Sequence, residues 1–408
     1  MYTRIRKVLT ACIPLLLLPM LLSGCWERKE LNELAFVLAL GLDKAESGYK
    51  VSMQVVIPSS ITSQGAGGSG AGGVPVVTYD FTVPTIYESL RKFNLVSSRS
   101  PYLGHIRVLV IGEELAREGL GETLDMLKRS REPRMDFFML VARNTTAENV
   151  LKVLTPLDRL PANKLFSALD KSYKVSAKTA AVTLDKFIEV VLYEGENPVL
   201  TGVEIEGNPE AGSKKSNIEQ TMPLARLSYK GVAVFKKAKM LGWLDDNEIV
   251  GYNYVIDNIS KNTGHIKDKD NGSLVIIEAL STTTRRKVKI IGGEPHIYLK
   301  VEALCNVEEV EGSGKLDSEN KIRQLEEETE DRIIERMKRS VEKVNERFNA
   351  DIFGFGQSIY RSHPRIWAKL QEQNKEGYLK LLPIHYDASV TINRIGTIDN
   401  SFLDDIKE

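Results

Sequence analysis

The thiol of Cys25, directly behind Leu22-Ser23-Gly24, is the group in this chain best placed for covalent modification. Arg4, Arg6 and Lys7 precede an apolar run from Val8 to Leu22, which ends at the small residues Ser23 and Gly24. A cationic stretch, a short apolar stretch and small residues before a cut are the parts of a secretory signal peptide. Small side chains let an extended backbone enter a peptidase, and the Cys25 sulfur can take a diacylglyceryl group before cleavage. The mature chain then begins at Cys25. The competing reading is an ordinary anchor helix with an incidental cysteine. It meets the length requirement poorly, because the run is 15 residues and is interrupted by Pro14 and Pro19, whereas a hydrocarbon core of ~30 Å needs ~20. Buried acyl chains contribute about 0.8 kcal/mol per methylene, enough for a multiply acylated cysteine to hold a folded domain at a bilayer surface.

The other residues capable of chemistry are scattered. The five histidines His105, His265, His296, His363 and His385 stand singly, with no His-Glu-x-x-His and no Cys-x-x-Cys to make a metal site. No Gly-x-Ser-x-Gly nucleophile elbow and no phosphate-binding Gly-x-x-x-x-Gly-Lys loop occurs. Residues 65 to 70 spell Gly-x-Gly-x-x-Gly, but more glycine, Val74 and Pro75 follow where a dinucleotide site needs a helix N-terminus. Cys12 lies in the signal and Cys25 takes the lipid, so the mature chain keeps Cys305 as its one free thiol, and an intramolecular disulfide is excluded. The alternating run from His296 to Cys305 makes Cys305 a small strand residue. No catalytic residue, metal ligand or cofactor-binding residue is assigned, the expected cofactor is none, and an enzyme is not expected.

These residues sit in an ordinary globular composition. With 408 residues, 42% hydrophobic and 27% charged, the chain is long enough for two or three cores. Removing residues 1–24 leaves 52 Lys+Arg against 55 Asp+Glu, a slightly acidic balance that argues against nucleic acid.

Apolar patterning predicts an α+β chain: three mixed α/β domains with mainly antiparallel or mixed sheets, behind a lipoprotein signal peptide at 1–24. The first domain covers 25–200, with strands at Leu34–Leu42, Tyr49–Ile57 and Val76–Val83. The glycine-rich stretch from Thr62 to Gly73 reads as a flexible loop between the last two. A helix follows Pro84, strands are expected at Ile106–Ile111 and Phe137–Ala142, a helix spans Glu113–Arg129, and another from Ala147 is capped by Thr145 or Thr146. Residues 201–292 read as a smaller strand-rich middle domain, with a helix capped by Asp245-Asp246 and strands at Ser273–Leu280 and Arg285–Ile291. Residues 293–408 form a C-terminal domain with a strand at Ile297–Leu304, a helix from about Asp317 to Asn349, another at Gln357–Gln371, and a strand at Ile384–Arg394. The spacing of Ile322, Leu325, Ile333, Met337, Val341, Val344 and Phe348 fits a coiled-coil seam or an amphipathic helix laid on a sheet, and the second is expected in a globular domain. Gly354-Phe355-Gly356 breaks the helix, with Phe353 and Phe355 expected in the core. Trp243 and Trp367 read as core or interface residues, and Trp26 lies either at the headgroup level or docked on the first domain.

Four landmarks, in order behind the Cys25 signal, make the chain resemble the Ger(x)C family, the lipoprotein C subunits of spore germinant receptors in Gram-positive spore formers. They are Gly24-Cys25-Trp26-Glu27-Arg28 with Glu30-Leu31, the run from Gly104 to Gly119, Gly231-Val232-Ala233-Val234-Phe235-Lys236 with Gly242-Trp243-Leu244, and Asp351-Ile352-Phe353-Gly354-Phe355-Gly356. The resemblance spans nearly the whole mature chain. It implies a three-domain lipoprotein on the outer face of the spore inner membrane, working beside an integral A subunit and a transporter-like B subunit in nutrient-triggered germination. It implies no catalytic activity and no cofactor, and direct nutrient binding is not expected. The alternatives are a lipoprotein that itself binds a small solute, which needs a ligand-sized cleft between domains, and a surface-anchored hydrolase, which needs a polar catalytic cluster in such a cleft.

Overall fold

The computed structural model describes residues 30–62, 73–259, 261–267, 272–311, 319–374 and 377–394, with Tyr2 and Arg6. Two mixed sheets organise these residues. The first has nine strands in the order β3-β2-β1-β5-β6-β7-β8-β9, with β4 (Ser100–Tyr102) pairing beside the start of β1. Its middle is β1 (Leu34–Lys44), β5 (Val108–Gly112) and β6 (Phe138–Ala142), parallel to one another and buried at nearly every position. Burial on both faces is why these segments read as continuous apolar runs. The hairpin partners β2 (Tyr49–Val56) and β3 (Val76–Val83) extend one side antiparallel.

Side chains alternate between the two faces. Leu40, Leu42, Leu109, Ile111, Met139 and Val141 meet helices α1 (Ile86–Val96), α2 (Glu113–Glu118) and α3 (Gly121–Arg129). Ala39, Val108, Val110, Leu140 and Ala142 meet α4 (Ala147–Lys152) and α5 (Pro161–Val175). Thr146 caps α4 by accepting a hydrogen bond from the Asn149 amide at 3.1 Å. The single helix expected over Glu113–Arg129 is divided, because the Leu120 amide donates to the Ala238 carbonyl at 2.9 Å. Helices α5 and α6 (Leu184–Leu192) were not singled out by the residue pattern, yet α6 buries Leu184, Phe187 and Ile188 on the α1 side.

Residues 201–292 are shared between the sheets. β7 (Val199–Gly207), β8 (Ala225–Lys236) and β9 (Lys239–Leu244) continue the first, whereas β10 (Asn262–Lys267) and β11 (Leu274–Ile291) belong to the second, ordered β10-β11-β12-β13. The two strands expected at 273–280 and 285–291 are one 18-residue strand. Its Thr282-Thr283-Thr284 run keeps the ladder with Ala303, Glu302 and Val301 of β12 (Glu294–Glu311), as suits β-branched residues. Thr282 also forces no break, since the register shifts fall before it, at Ile276/Ile277 and Ala279/Ser281.

The long helix α8 (Glu319–Arg347) lies on the second sheet, burying Leu325, Ile333, Met337, Val341 and Val344. It also covers the edge strand β13 (Ile384–Arg394), where Glu330 accepts the Val390 amide at 2.9 Å and Glu326 accepts the Ile392 amide at 2.8 Å. Carboxylates one helical turn apart thus satisfy edge amides two residues apart, which blunts the edge against further pairing. Helix α7 (Asp246–Val255) crosses α8 closely: a Cβ on Gly251 would lie 2.2 Å from the Arg336 carbonyl oxygen. The Asp245 side chain caps α7 in a reciprocal box with Glu248, and Arg347 of α8 binds the Glu248 carboxylate at 2.8 and 3.0 Å.

Candidate functional site

After α8 the chain runs through Asp351-Ile352-Phe353-Gly354 into α9 (Phe355–Ser362), and this turn carries a buried carboxylate. Asp351 accepts the amides of Phe353 at 3.1 Å, Phe355 at 3.2 Å and Gly356 at 2.7 Å, and the Tyr378 hydroxyl at 2.7 Å. Burial raises its carboxyl above the ordinary carboxylate range, against the hydrogen bonds and the nearby Arg286 charge, which favour the anion. Gly354 holds φ at 69°, a left-handed conformation that costs other residues, and a Cβ there would meet the Glu196 side chain at 3.2 Å. Phe353 and Phe355 pack in the second core as expected, with Arg286 over the Phe355 ring at 5.1 Å.

This turn joins the two sheets through the segment 194–198 that leads into β7. The Asn197 amide donates to the Asp351 carbonyl at 2.7 Å, the Gln357 amide to the Gly195 carbonyl at 3.0 Å, and the Trp367 indole to Glu194 at 3.2 Å. Asn197 Oδ1 in turn accepts the Lys237 amide at 2.9 Å. Arg286, from β11, donates to the carbonyls of Gly354 and Val255 and to the Ser358 hydroxyl, each at 3.1 Å.

Beside this junction lies a cleft of about 360 Å³ with walls from both sheets. Tyr173, Val190 and Glu196 come from one side, and Tyr252, Arg286 and Phe353 from the other. Burial and the Asp351 charge push the Glu196 carboxyl above its ordinary range, while Lys186, Arg286 and Arg361 oppose the shift. Burial raises the Tyr173 and Tyr252 hydroxyls as well. No histidine or cysteine lines the cleft among the described residues.

The residues singled out from sequence fall in separate places. Cys25 and Trp26 lie outside the described residues, as does most of the glycine-rich stretch. Cys305 is a buried strand residue of β12, its thiol pushed up to about 11 by burial, so it is no poised nucleophile. His105 is exposed, edge-on to the Phe36 ring and tilted against that of Tyr102. His296 and His385, distant in sequence, meet across β12 and β13 with ring nitrogens 3.0 Å apart, a pairing that required the register to be known. Among the described residues no group of three or more His, Cys, Asp or Glu is arranged to hold a metal ion. Trp367 is buried, whereas Trp243 is half-buried under the Arg143 guanidinium at 5.0 Å. That contact joins Gly231, whose positive φ is 76°, to the Gly242-Trp243-Leu244 landmark, since Arg143 also lies where a Gly231 Cβ would be.

Comparison with known proteins places these features in a family. Residues 27–205 match the spore germination protein N-terminal domain, and residues 230–396 match the spore germination B3/GerAC-like C-terminal domain. Spore germination protein KC of Bacillus subtilis is 31% identical over 410 residues, covering 99% of this chain and 100% of that one. Spore germination protein B3 of the same organism is 23% identical, covering 92% of this chain and 95% of its own. The crystal structure of the GerBC protein shares the fold, with a TM-score of 0.51 at 18% identity over 86% of this chain and 96% of that one. The chain belongs to the Ger(x)C family of spore germination proteins.

Proposed function

We propose that this chain is the lipid-anchored C subunit of a spore germinant receptor, held by acylated Cys25 on the outer face of the spore inner membrane. It works by association with the integral A and B subunits, not by catalysis or by binding the nutrient. The full-length similarity to spore germination protein KC carries this reading, and the Leu22-Ser23-Gly24-Cys25 signal supports the anchor. No helix among the described residues is long and apolar enough to cross a membrane. Confinement to the bilayer raises the effective concentration of partners, so a modest protein–protein affinity suffices for assembly.

Labelled fatty acid should enter the parent chain and not Cys25→Ala; undiminished label in the variant refutes the anchor. Co-purification of the A and B subunits from detergent-solubilised spore membranes tests the assembly. A second reading, a lipoprotein that itself binds a solute, is favoured by the cleft between the sheets, whose volume is within the range of small-molecule sites. Calorimetry with the germinants separates the two: saturable binding near the triggering concentration, lost on substitution in the cleft, supports the second.

A further inference from the structure

The three most exposed leucines among the described residues are Leu157, Leu95 and Leu31, at 99%, 85% and 74%. The first sheet brings them to one end. Leu31 stands three residues before Leu34, and Leu95 and Val96 stand five and four residues before Ser100. Leu34 and Ser100 are partners at the start of parallel strands, so both lead-ins approach from the same side. Leu157 comes from the connection between α4 and α5, over the other face of the sheet. Two residues on, the Arg159 guanidinium donates to the Ser60 carbonyl at 3.2 Å. Ser60 follows the end of β2, which pairs with the start of β1 through Val55 and Val37. The fold does not use these side chains. α1 buries Ile86, Ser89 and Phe93 along one stripe, and Leu95, two residues past Phe93, lies about 200° round the helix from it. The turn Leu31–Glu33 buries no residue at all.

We infer that Leu31, Leu95, Val96 and Leu157 form an apolar tip that dips into the interfacial layer of the bilayer and sets the orientation of the first sheet. Apolar side chains exposed singly are ordinary, whereas several gathered at one end mark a contact surface. The length of the tether identifies the contact. Glu30 is five extended steps from Cys25, which keeps this end within ~18 Å of an acylated cysteine, and the apolar phase in reach is the membrane itself. Interfacial contacts of this kind bury side chains ~5–10 Å deep, at the boundary of headgroups and acyl chains. The charges in the tether and beside the tip balance, with Arg28, Lys29, Arg99 and Arg159 against Glu27, Glu30, Glu33 and Asp158. The attraction is therefore apolar and does not require anionic lipid.

The inference rests on the Cys25 anchor proposed above, and the test separates the two. The full acylated chain is reconstituted into phosphatidylcholine vesicles, with an environment-sensitive nitrobenzoxadiazole label on Leu95→Cys, Leu157→Cys or Ser47→Cys. Cys305 is buried and leaves the introduced thiol as the reactive one. Ser47 is exposed in the turn between β1 and β2, at the far end of the 11-residue β1, ~33 Å from its start. Labels at 95 and 157 should shift their emission to the blue and be quenched severalfold by spin-labelled lipid, and the label at 47 should do neither. Adding phosphatidylglycerol should leave this pattern unchanged. A chain that floats with the vesicles while labels 95 and 157 stay in water overturns the tip and leaves the anchor standing. A chain that does not float overturns both. Shielding of labels 95 and 157 only when the A and B subunits are present also overturns the lipid contact, and assigns the tip to a protein partner.

Discussion

Replacing Asp351 by alanine removes the one acceptor shared by four buried donors. The amides of Phe353, Phe355 and Gly356 and the Tyr378 hydroxyl all point at its carboxylate. A buried donor left without a partner costs about 1–3 kcal/mol, and breaking a buried charge site costs about 3–5 kcal/mol in total. The carboxylate is itself expensive to bury, as its raised proton affinity shows, so part of that loss is returned. The expected net destabilisation for Asp351→Ala is therefore about 3–4 kcal/mol. Asp351→Asn keeps one oxygen for two amides but turns an NH₂ group towards Gly356, and should cost about 1–2 kcal/mol. Equilibrium urea unfolding measures both. Trp367 is a local reporter, since its ring meets Tyr378 edge-on at 5.2 Å, and circular dichroism follows the whole chain. With a urea slope of about 3 kcal/mol per molar or more for a chain of this length, the alanine variant's midpoint should fall by about 1 M. The Trp367 transition should move most, because the turn belongs to the second core. A loss below about 1 kcal/mol for Asp351→Ala, or equal losses for Ala and Asn, would falsify the claim that these hydrogen bonds hold the turn.

Two other perturbations test the first sheet. The Lys164 ammonium is packed beside the Tyr229 ring at 5.6 Å, and burial pulls its pKa from 10.5 down to about 8. Between those values the unfolded chain holds a proton that the folded chain has released, so this group's contribution to stability rises with pH. Lys164→Met removes that penalty but also takes the ammonium donor from the Leu227 carbonyl, so it should stabilise by only ~1 kcal/mol at pH 7, and the gain should shrink towards pH 10.5; a gain independent of pH sinks the reasoning. Residues 64–73 should be replaceable by a short turn with little change in melting temperature or germination. The Ile57 amide already closes the base of the loop on the Pro75 carbonyl at 2.9 Å, and β2 and β3 pair along their whole length. Loop closure changes by only ~0.6 kcal/mol per doubling of length, so a large loss in either readout assigns the glycine tract a role beyond connection.

Strands were legible wherever a local rule sufficed. The continuous apolar runs of β1, β5 and β6 and the alternation of β2, β12 and β13 marked core strands before any pairing was known, and the capping residues Thr146 and Asp245 bond as their positions suggested. Helices α5 and α6 were missed because each carries only a short buried stripe: Ala162, Leu165 and Leu169 in one, Leu184, Phe187 and Ile188 in the other. The coiled-coil reading of α8 had the same apolar spacing as the helix on a sheet that is observed, and only the partner surface decides between them. The candidate site was half legible. Gly354-Phe355-Gly356 declared a helix break with positive φ, but its dependence on Asp351, Tyr378, Gly195 and Asn197 joins residues more than a hundred positions apart. The cleft beside it, with Tyr173, Glu196 and Tyr252 in its lining, likewise has no periodic or spacing signature, because α5, the 194–198 segment and α7 supply those residues.

The proposed anchor and the observed junction together constrain how a signal could pass between this chain and integral partners. With Cys25 acylated, four residues lie between it and Glu30, and the five extended steps from one to the other span at most ~18 Å. The start of β1, with β4 paired against Leu34–Phe36, is then the end of the first sheet held nearest the bilayer. The second sheet has no such tether among the described residues and is joined to the first through the 194–198 segment, the Asp351 turn and the crossing from β9 into α7. Those hydrogen bonds lie beside the cleft, and Glu196 is within the same segment that receives the Gln357 amide and offers one to Asp351. An occupant of the cleft would therefore meet the connecting segment itself and not a distant surface. Partner contact near β1 and cleft occupancy would be coupled only if the junction has two arrangements that both events bias. The Asp351 variants and Glu196→Gln probe the junction differently: the first remove both hydrogen bonds that hold the turn and a charge that acts on Glu196, and the second leaves every junction hydrogen bond in place.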